Sequence, residues 1–309
     1  MALHPKLKEI LSLPANPDEV PVEKMAPADA RVTFDKELAD VDAPKPDVRR
    51  ISDGKVRGGG GPIGVRIYEP VDGAERPALV YYHGGGYIRG SLATHDSSCR
   101  ILANSSNAVV FSVDYRLSPE AKFPDPLEDC YAATVDIVKR AGEFGIDPAR
   151  VAIGGDSAGG NFAAAIAQMA KQRGGPDIRF QLLIYPNVDL GADTESIRLF
   201  SKGYLPNSMP SYIASYTRSP ADIDDPLCSP LRARDLTGLP PAYVLTCGFD
   251  PLRDEGQAYA ARLGKAGVPV EEARYDDMIH GFLLLRGLLP EADDALAACG
   301  RAVGRAVAG

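Results

Sequence analysis

A serine, a histidine and a carboxylate can together break an acyl bond, and this chain carries a candidate for each. Ser157 lies in Gly155-Asp156-Ser157-Ala158-Gly159, after the apolar run Val151–Ile153 and before an alanine-rich segment. A glycine two positions away on each side leaves room for the strained backbone that lifts a serine oxygen clear of a strand-to-helix turn. A helix N-terminus behind it would favour developing negative charge. Taken alone, the same residues could form an inert glycine-rich turn or one that holds a nucleotide. The serine needs a base. Of the four histidines, His4 lies in the N-terminal segment, His83 and His95 precede Ser157, and His280 follows it in Asp-Asp-Met-Ile-His-Gly-Phe. A lone histidine in such a place is often a packed core residue, but the chain order favours the base role. The base needs an orienting acid. Asp250 follows the apolar run Tyr243–Cys247 and stands between Ser157 and His280 in the chain, giving the order Ser, Asp, His of one hydrolase class. Asp254 and Glu255 compete for that role, yet read better as first-turn charges on the next helix.

A fourth element is His83-Gly84-Gly85-Gly86-Tyr87, directly after the apolar run Ala78–Tyr82. Its bare backbone can bring N–H groups to a carbonyl oxygen as that oxygen becomes an anion. A glycine turn with no ligand would look the same in isolation. His83 is expected to hold the loop in shape; no second ligand stands at metal-binding spacing from it.

These groups need a scaffold that brings distant segments to one edge. Apolar runs suited to buried strands occur at Ala78–Tyr82, Ala108–Val113, Val151–Ile153, Phe180–Tyr185 and Tyr243–Cys247, with a further strand expected at Val270–Tyr275. Helical periodicity separates several of them. Leu127–Ala141 places Leu127, Cys130, Tyr131, Val135 and Val138 on one face, with Asp125 and Pro126 at its start as cap and first-turn residue; other helices are expected at Glu255–Lys265 and Ala292–Val307. This alternation predicts an α/β fold, a mostly parallel central sheet with helices on both faces. The glycines at 58–61 read as a turn into a half-buried strand beginning near Ile63, because no Lys-Ser/Thr follows them. Residues 1–46, with helical patches at Val22–Met25 and Phe34–Leu38, read as peripheral, and 188–222 as an insertion that forms a lid or binding surface.

With 45% hydrophobic and 25% charged residues the composition is that of a soluble globular protein. The net charge of −8 argues against nucleic acid or an anionic membrane as partner, and no apolar stretch is long enough to span a bilayer. The N-terminus lacks a signal-peptide pattern. Five cysteines, at 99, 130, 228, 247 and 299, include no CxxC pair and read as buried free thiols in a reducing cytoplasm. No metal or cofactor is called for, and the oligomeric state, including a homo-oligomer, stays open.

Together the motifs HGGGY at 83–87, DYRLSPE at 114–120, GDSAGGN at 155–161, DPLRDEG at 250–256 and HGF at 280–282 resemble the hormone-sensitive-lipase-like esterases of the α/β-hydrolase fold. The resemblance covers the chain from about Ile63 onward. It implies Ser157 as nucleophile, His280 as base and then acid, and Asp250 as orienting acid. It implies an oxyanion hole from N–H groups of Gly84, Gly85 and Gly86, of which Gly85 and Gly86 are favoured, together with Ala158. It implies a cap built from 1–46 and 188–222 over a catalytic domain of 47–187 and 223–309. The implied activity is hydrolysis of small carboxylic esters with short to medium chains; the alternatives are an amidase, lactonase or deacetylase using the same three groups, or a non-catalytic small-molecule binder or receptor on the same fold. Tyr87, Tyr204, Leu205 and Tyr212 are candidate pocket residues, or else the core of the cap itself. Asp114, Tyr115 and Arg116 are expected to be structural, and Glu128 and Asp129 to sit on an exposed helix turn. Ser118, where the family more often has alanine, touches nothing catalytic, and Asp156 matches the GDSAG branch.

Overall fold

The computed structural model describes residues 2–13, 20–202 and 208–308. Its centre is an eight-stranded sheet: β1 (Arg50–Gly58), β2 (Gly61–Glu69), β3 (Arg76–Tyr82), β4 (Val109–Asp114), β5 (Ile146–Asp156), β6 (Phe180–Ile184), β7 (Ala242–Phe249) and β8 (Val270–Ile279). The spatial order is β1-β2-β4-β3-β5-β6-β7-β8. β2 is antiparallel to both β1 and β4, and every other pairing is parallel. The expected strands are present. Their unbroken apolar character has a simple cause: both faces are covered. Val80, Phe111, Ile153 and Leu183 enter one core, and their neighbours Leu79, Val110, Ala152 and Leu182 enter the other, as the two-residue period of a strand requires.

The helices described are α1 (Pro5–Leu11), α2 (Pro27–Val41), α3 (Asp96–Ser106), α4 (Asp125–Lys139), α5 (Ala141–Phe144), α6 (Ala158–Arg173), α7 (Glu195–Phe200), α8 (Met209–Tyr216), α9 (Arg253–Lys265) and α10 (Glu291–Ala306). Phe162 of α6, Leu127 of α4 and Leu263 of α9 pack in the first core; Leu102 of α3 and Leu296 of α10 pack in the second. No helix among the described residues is long and apolar enough to cross a membrane. All five cysteines are free and buried.

One strand went unread and three expectations change. β1 had no sequence signal, because Arg-Ile-Ser-Asp-Gly-Lys-Val is mostly exposed and pairs only with β2; the glycine turn joins the two as a hairpin. The N-terminal segment is less peripheral than its composition suggested, since α1 seats Leu7 at 1% exposure in the second core. Asp125 is not a cap: α4 begins on it, and its side chain pairs with Arg218 at 3.0 Å. Asp129 is not exposed but fully buried. It binds the Arg116 guanidinium at 2.6 and 2.9 Å and accepts the Gly60 N–H, tying α4 to the chain after β4 and to the hairpin turn. Glu128 stays at the surface, paired with Arg173.

Candidate active site

β5 runs into α6 with one residue between them, and that residue is Ser157. Its backbone sits at φ 54°, ψ −115°, a conformation that typically costs a non-glycine residue about 1–3 kcal/mol. Close packing holds it there. A side chain on Gly155 would run into the Tyr82 carbonyl and the backbone of Gly159, and one on Gly159 would overlap the same Tyr82 carbonyl. The glycines therefore let β3, β5 and α6 touch backbone to backbone beneath the serine. Ser157 also donates its N–H to the Ile184 carbonyl at 2.9 Å.

β8 delivers His280 and β7 delivers Asp250, each just beyond the strand's C-terminal end. His280 Nε2 lies 2.9 Å from Ser157 Oγ, and Nδ1 lies 2.9 Å from Asp250 Oδ2. The carboxylate can only accept, so Nδ1 carries the proton and Nε2 is free to receive the one on Ser157. Asp250 is fully buried, and its other oxygen accepts the Leu252 N–H at 2.8 Å. The Tyr185 ring, 4.7 Å from the imidazole centroid, fixes the far side of His280.

The glycine loop follows β3 on the other side of the serine. Gly84 differs from its neighbours: it donates its N–H to Asp156 Oδ1 at 2.9 Å, which removes it from the set of available donors. Gly85 and Gly86, at φ 123° and 64°, have N–H groups with no acceptor among the described residues, as has Ala158 at the start of α6. His83 does hold the loop. It bonds the Gly84 carbonyl through Nδ1 at 2.8 Å, and its ring stacks on Tyr115 at 4.3 Å. Burial, reinforced by charge on the neighbouring His95, pushes its pKa down to about 3.

Sequence reading missed a second histidine–carboxylate pair behind the serine. Asp156 accepts from the Tyr81 hydroxyl at 2.8 Å and lies 3.2 Å from His95 Nε2, while His95 Nδ1 meets the Thr94 hydroxyl at 2.8 Å. Burial opposes ionisation of Asp156, but His95 and these hydrogen bonds outweigh it and hold the carboxyl below its ordinary value. The one available signal was the acidic residue itself, next to the nucleophile.

Tyr87 at the end of the loop and Tyr212 of α8 are both buried. Tyr87 stacks on Tyr216 at 4.0 Å, and the Tyr212 ring lies where a Gly86 side chain would be. Tyr204 and Leu205 lie outside the described residues. A cavity of about 600 Å³ opens nearby, walled by Leu190, Ile197, Met209, Ile213, Ile223 and Leu252. Ser157 and His280 are not in its walls. Of its walls, Leu252 binds Asp250 through its N–H, and Asp189 lies two residues after Asn187, whose N–H binds the Ser157 carbonyl. Asp254 and Glu255 do lie in the first turn of α9, and both grip the insertion. Asp254 accepts the Ser196 N–H and Glu255 those of Val188 and Asp189; burial raises the Glu255 pKa well above its ordinary value.

Residues 79–284 match the profile of a family described by its alpha/beta hydrolase fold. The chain belongs to that α/β-hydrolase family. Esterase LipI of Mycobacterium tuberculosis is 43% identical over 80% of this chain and 79% of its own length. An arylesterase of Saccharolobus solfataricus is 37% identical over 92% of this chain and 93% of its own. Among solved structures, the hyperthermophilic esterase of Pyrobaculum calidifontis superposes with a TM-score of 0.94 at 42% identity, covering all of both chains. The resemblance of the motifs to hormone-sensitive-lipase-like α/β-hydrolases therefore holds.

Proposed function

We propose that the protein is a carboxylesterase acting on small esters through an acyl-enzyme on Ser157. The observation that carries this reading is the unbroken line Ser157 Oγ, His280, Asp250, with 2.9 Å at each step. His280 takes the serine proton as Oγ attacks the ester carbonyl. The carbonyl oxygen, now an anion, accepts from the N–H groups of Gly85, Gly86 and Ala158; Gly84 is left out because its N–H is committed to Asp156. His280 then protonates the departing alcohol. Water, deprotonated by the same imidazole, releases the acid. Asp250 keeps the imidazole in the required tautomer and faces the charge that forms on it.

Residues 1–46 and 188–222 act as a cap over a catalytic domain of 47–187 and 223–309; α2 and α8 both reach the glycine loop. The apolar cavity under α7 and α8 receives the acyl arm, which supports short to medium chains, with Tyr87 and Tyr212 as packing between the glycine loop and the cap. Five unpaired thiols suit a reducing compartment such as the cytoplasm, and the acidic balance suits a neutral substrate better than a nucleic acid.

The test is hydrolysis of p-nitrophenyl esters from acetate to palmitate. Wild-type protein should turn over the shorter members, Ser157→Ala should be inactive yet folded, and an organophosphonate should label Ser157. Wild-type turnover in the alanine variant would overturn the assignment.

A further inference from the structure

The loop His83–Tyr87 continues into Ile88-Arg89-Gly90, and Arg89 is placed unlike any other cation described. Its guanidinium lies 4.3 Å from the Phe34 ring centroid of α2 and 5.4 Å from that of Tyr212 in α8. Its Nε is buried with no hydrogen-bond partner among the described residues. An arginine left this way is held by ring faces rather than by a carboxylate fork. The two rings come from segments far apart in the chain, one before and one after the glycine loop in sequence.

The contacts continue from the clamp to the two N–H donors. The Arg89 N–H donates to the Gly85 carbonyl at 3.2 Å, and the Arg89 carbonyl occupies the space a Gly85 side chain would need. The Tyr212 ring, whose centroid lies 5.4 Å from the same guanidinium, stands 2.6 Å from where a Gly86 Cβ would be. Each of the two glycines with an unclaimed N–H thus leans on one part of the clamp. A second tether, Arg31 Nε to the Ile88 carbonyl at 2.9 Å, anchors the loop to α2 alone; among the described residues, Arg89 is the cation that joins the loop to both helices.

We propose that Arg89 is a positioning residue that sets the Gly85 and Gly86 N–H groups by clamping their loop between Phe34 of α2 and Tyr212 of α8. It touches no reacting atom. The consequence is a coupling: when α8 lifts from the loop, the oxyanion donors lose their alignment, so full rate requires both helices in place. This inference rests on the oxyanion role given to the loop above.

Arg89→Met keeps the length of the side chain and removes the cation. With a p-nitrophenyl ester it should lower kcat about tenfold or more while KM stays within about threefold, since the donors act on charge that develops only in the transition state. Binding of a phenylboronic acid, whose tetrahedral adduct carries the same negative oxygen, should weaken by a matching factor. Arg89→Lys should recover part of the loss. Phe34→Leu combined with Arg89→Met should cost less than the product of the single effects, because both remove one interaction. If Arg89→Met does not fold, Phe34→Leu alone carries the kinetic test. An unchanged kcat in a folded variant, or multiplicative effects in the double variant, overturns the clamp. Hydrogen–deuterium exchange separates this from the functional reading. If the wild-type protein fails to hydrolyse esters, the proposed function falls, yet faster exchange across 84–91 and α8 in Arg89→Met still supports the clamp, and unchanged exchange there overturns it.

Discussion

Two histidine–carboxylate pairs flank Ser157, and only one of them is built for proton transfer. In front, Asp250 holds His280 Nδ1 and leaves Nε2 facing the Ser157 hydroxyl. Behind, Asp156 holds the fully buried His95 through Nε2, and the other ring nitrogen faces the hydroxyl of half-buried Thr94. The residue types and distances are much alike. What differs is the partner of the second nitrogen and the access to it. His280 retains 10% side-chain exposure beside the serine, whereas His95 has none. The front pair can exchange a proton with something that arrives. The back pair links the strand under the serine, the Gly84 N–H and the start of α3.

Removing the imidazoles should separate the pairs most widely. In a comparable serine hydrolase, loss of the base costs on the order of 10⁶ in kcat. His280→Ala should approach that with little change in melting temperature. His95→Ala should do the reverse, lowering stability by about 2–4 kcal/mol through unpaired buried groups while the folded fraction keeps kcat within about tenfold. Comparable kcat losses in the two variants would erase the distinction.

The next contrast replaces each acid with its amide. Asp250→Asn should cost about 10⁴ in kcat, because an amide favours the wrong imidazole tautomer. Asp156→Asn should cost less than about tenfold. The Thr94 hydroxyl can donate or accept, so His95 can exchange tautomers without losing either partner, and the amide oxygen still accepts from Tyr81 and Gly84. Steady-state kinetics on both proteins decide it. A loss in Asp156→Asn as large as in Asp250→Asn would mean that the back pair reaches the reacting atoms.

The front pair was legible in the sequence and the back pair was not, for a physical reason. Nucleophile, acid and base must stand at strand ends, where apolar runs stop and polar residues begin, so Ser157, Asp250 and His280 each fall at a visible boundary. The sheet was legible for a related reason, since strands covered on both faces become continuous apolar runs. Asp156 and His95 leave no such mark. Their contact depends on how the glycine loop turns back after β3 and where α3 starts, and α3 itself went unread. β1 was hidden because an exposed edge strand needs no hydrophobic pattern. Asp129 misled because a charge in the first turns of a helix usually faces water, whereas here Arg116 compensates it in the interior. The Arg89 clamp draws its two aromatic faces from α2 and α8, and no local pattern relates them.

The smallest effect concerns the third histidine near the serine, His83, which lies 5.5 Å from His95, ring to ring. Burial first, and charge on His95 second, hold its pKa at about 3, against an ordinary value near 6.5. In the unfolded chain His83 takes up a proton as pH falls below 6.5; in the folded protein it stays neutral until about 3. The unfolded state therefore binds more protons across that window, and stability rises with pH within it. The contribution of a neutral His83 is fully present above 6.5 and declines as pH falls toward 3, by up to about 1.4 kcal/mol per pH unit. His83→Asn removes this titration while leaving a polar side chain in the loop. Its stability deficit relative to wild type, read from urea midpoints, should be largest at pH 7–8 and should shrink by about 2 kcal/mol by pH 5. The other ionisable groups titrate alike in both proteins and cancel. A deficit that stays constant or widens on acidification would mean that His83 accepts a proton in the folded protein, and the cluster behind the serine would then be no more closed to protons than the pair in front.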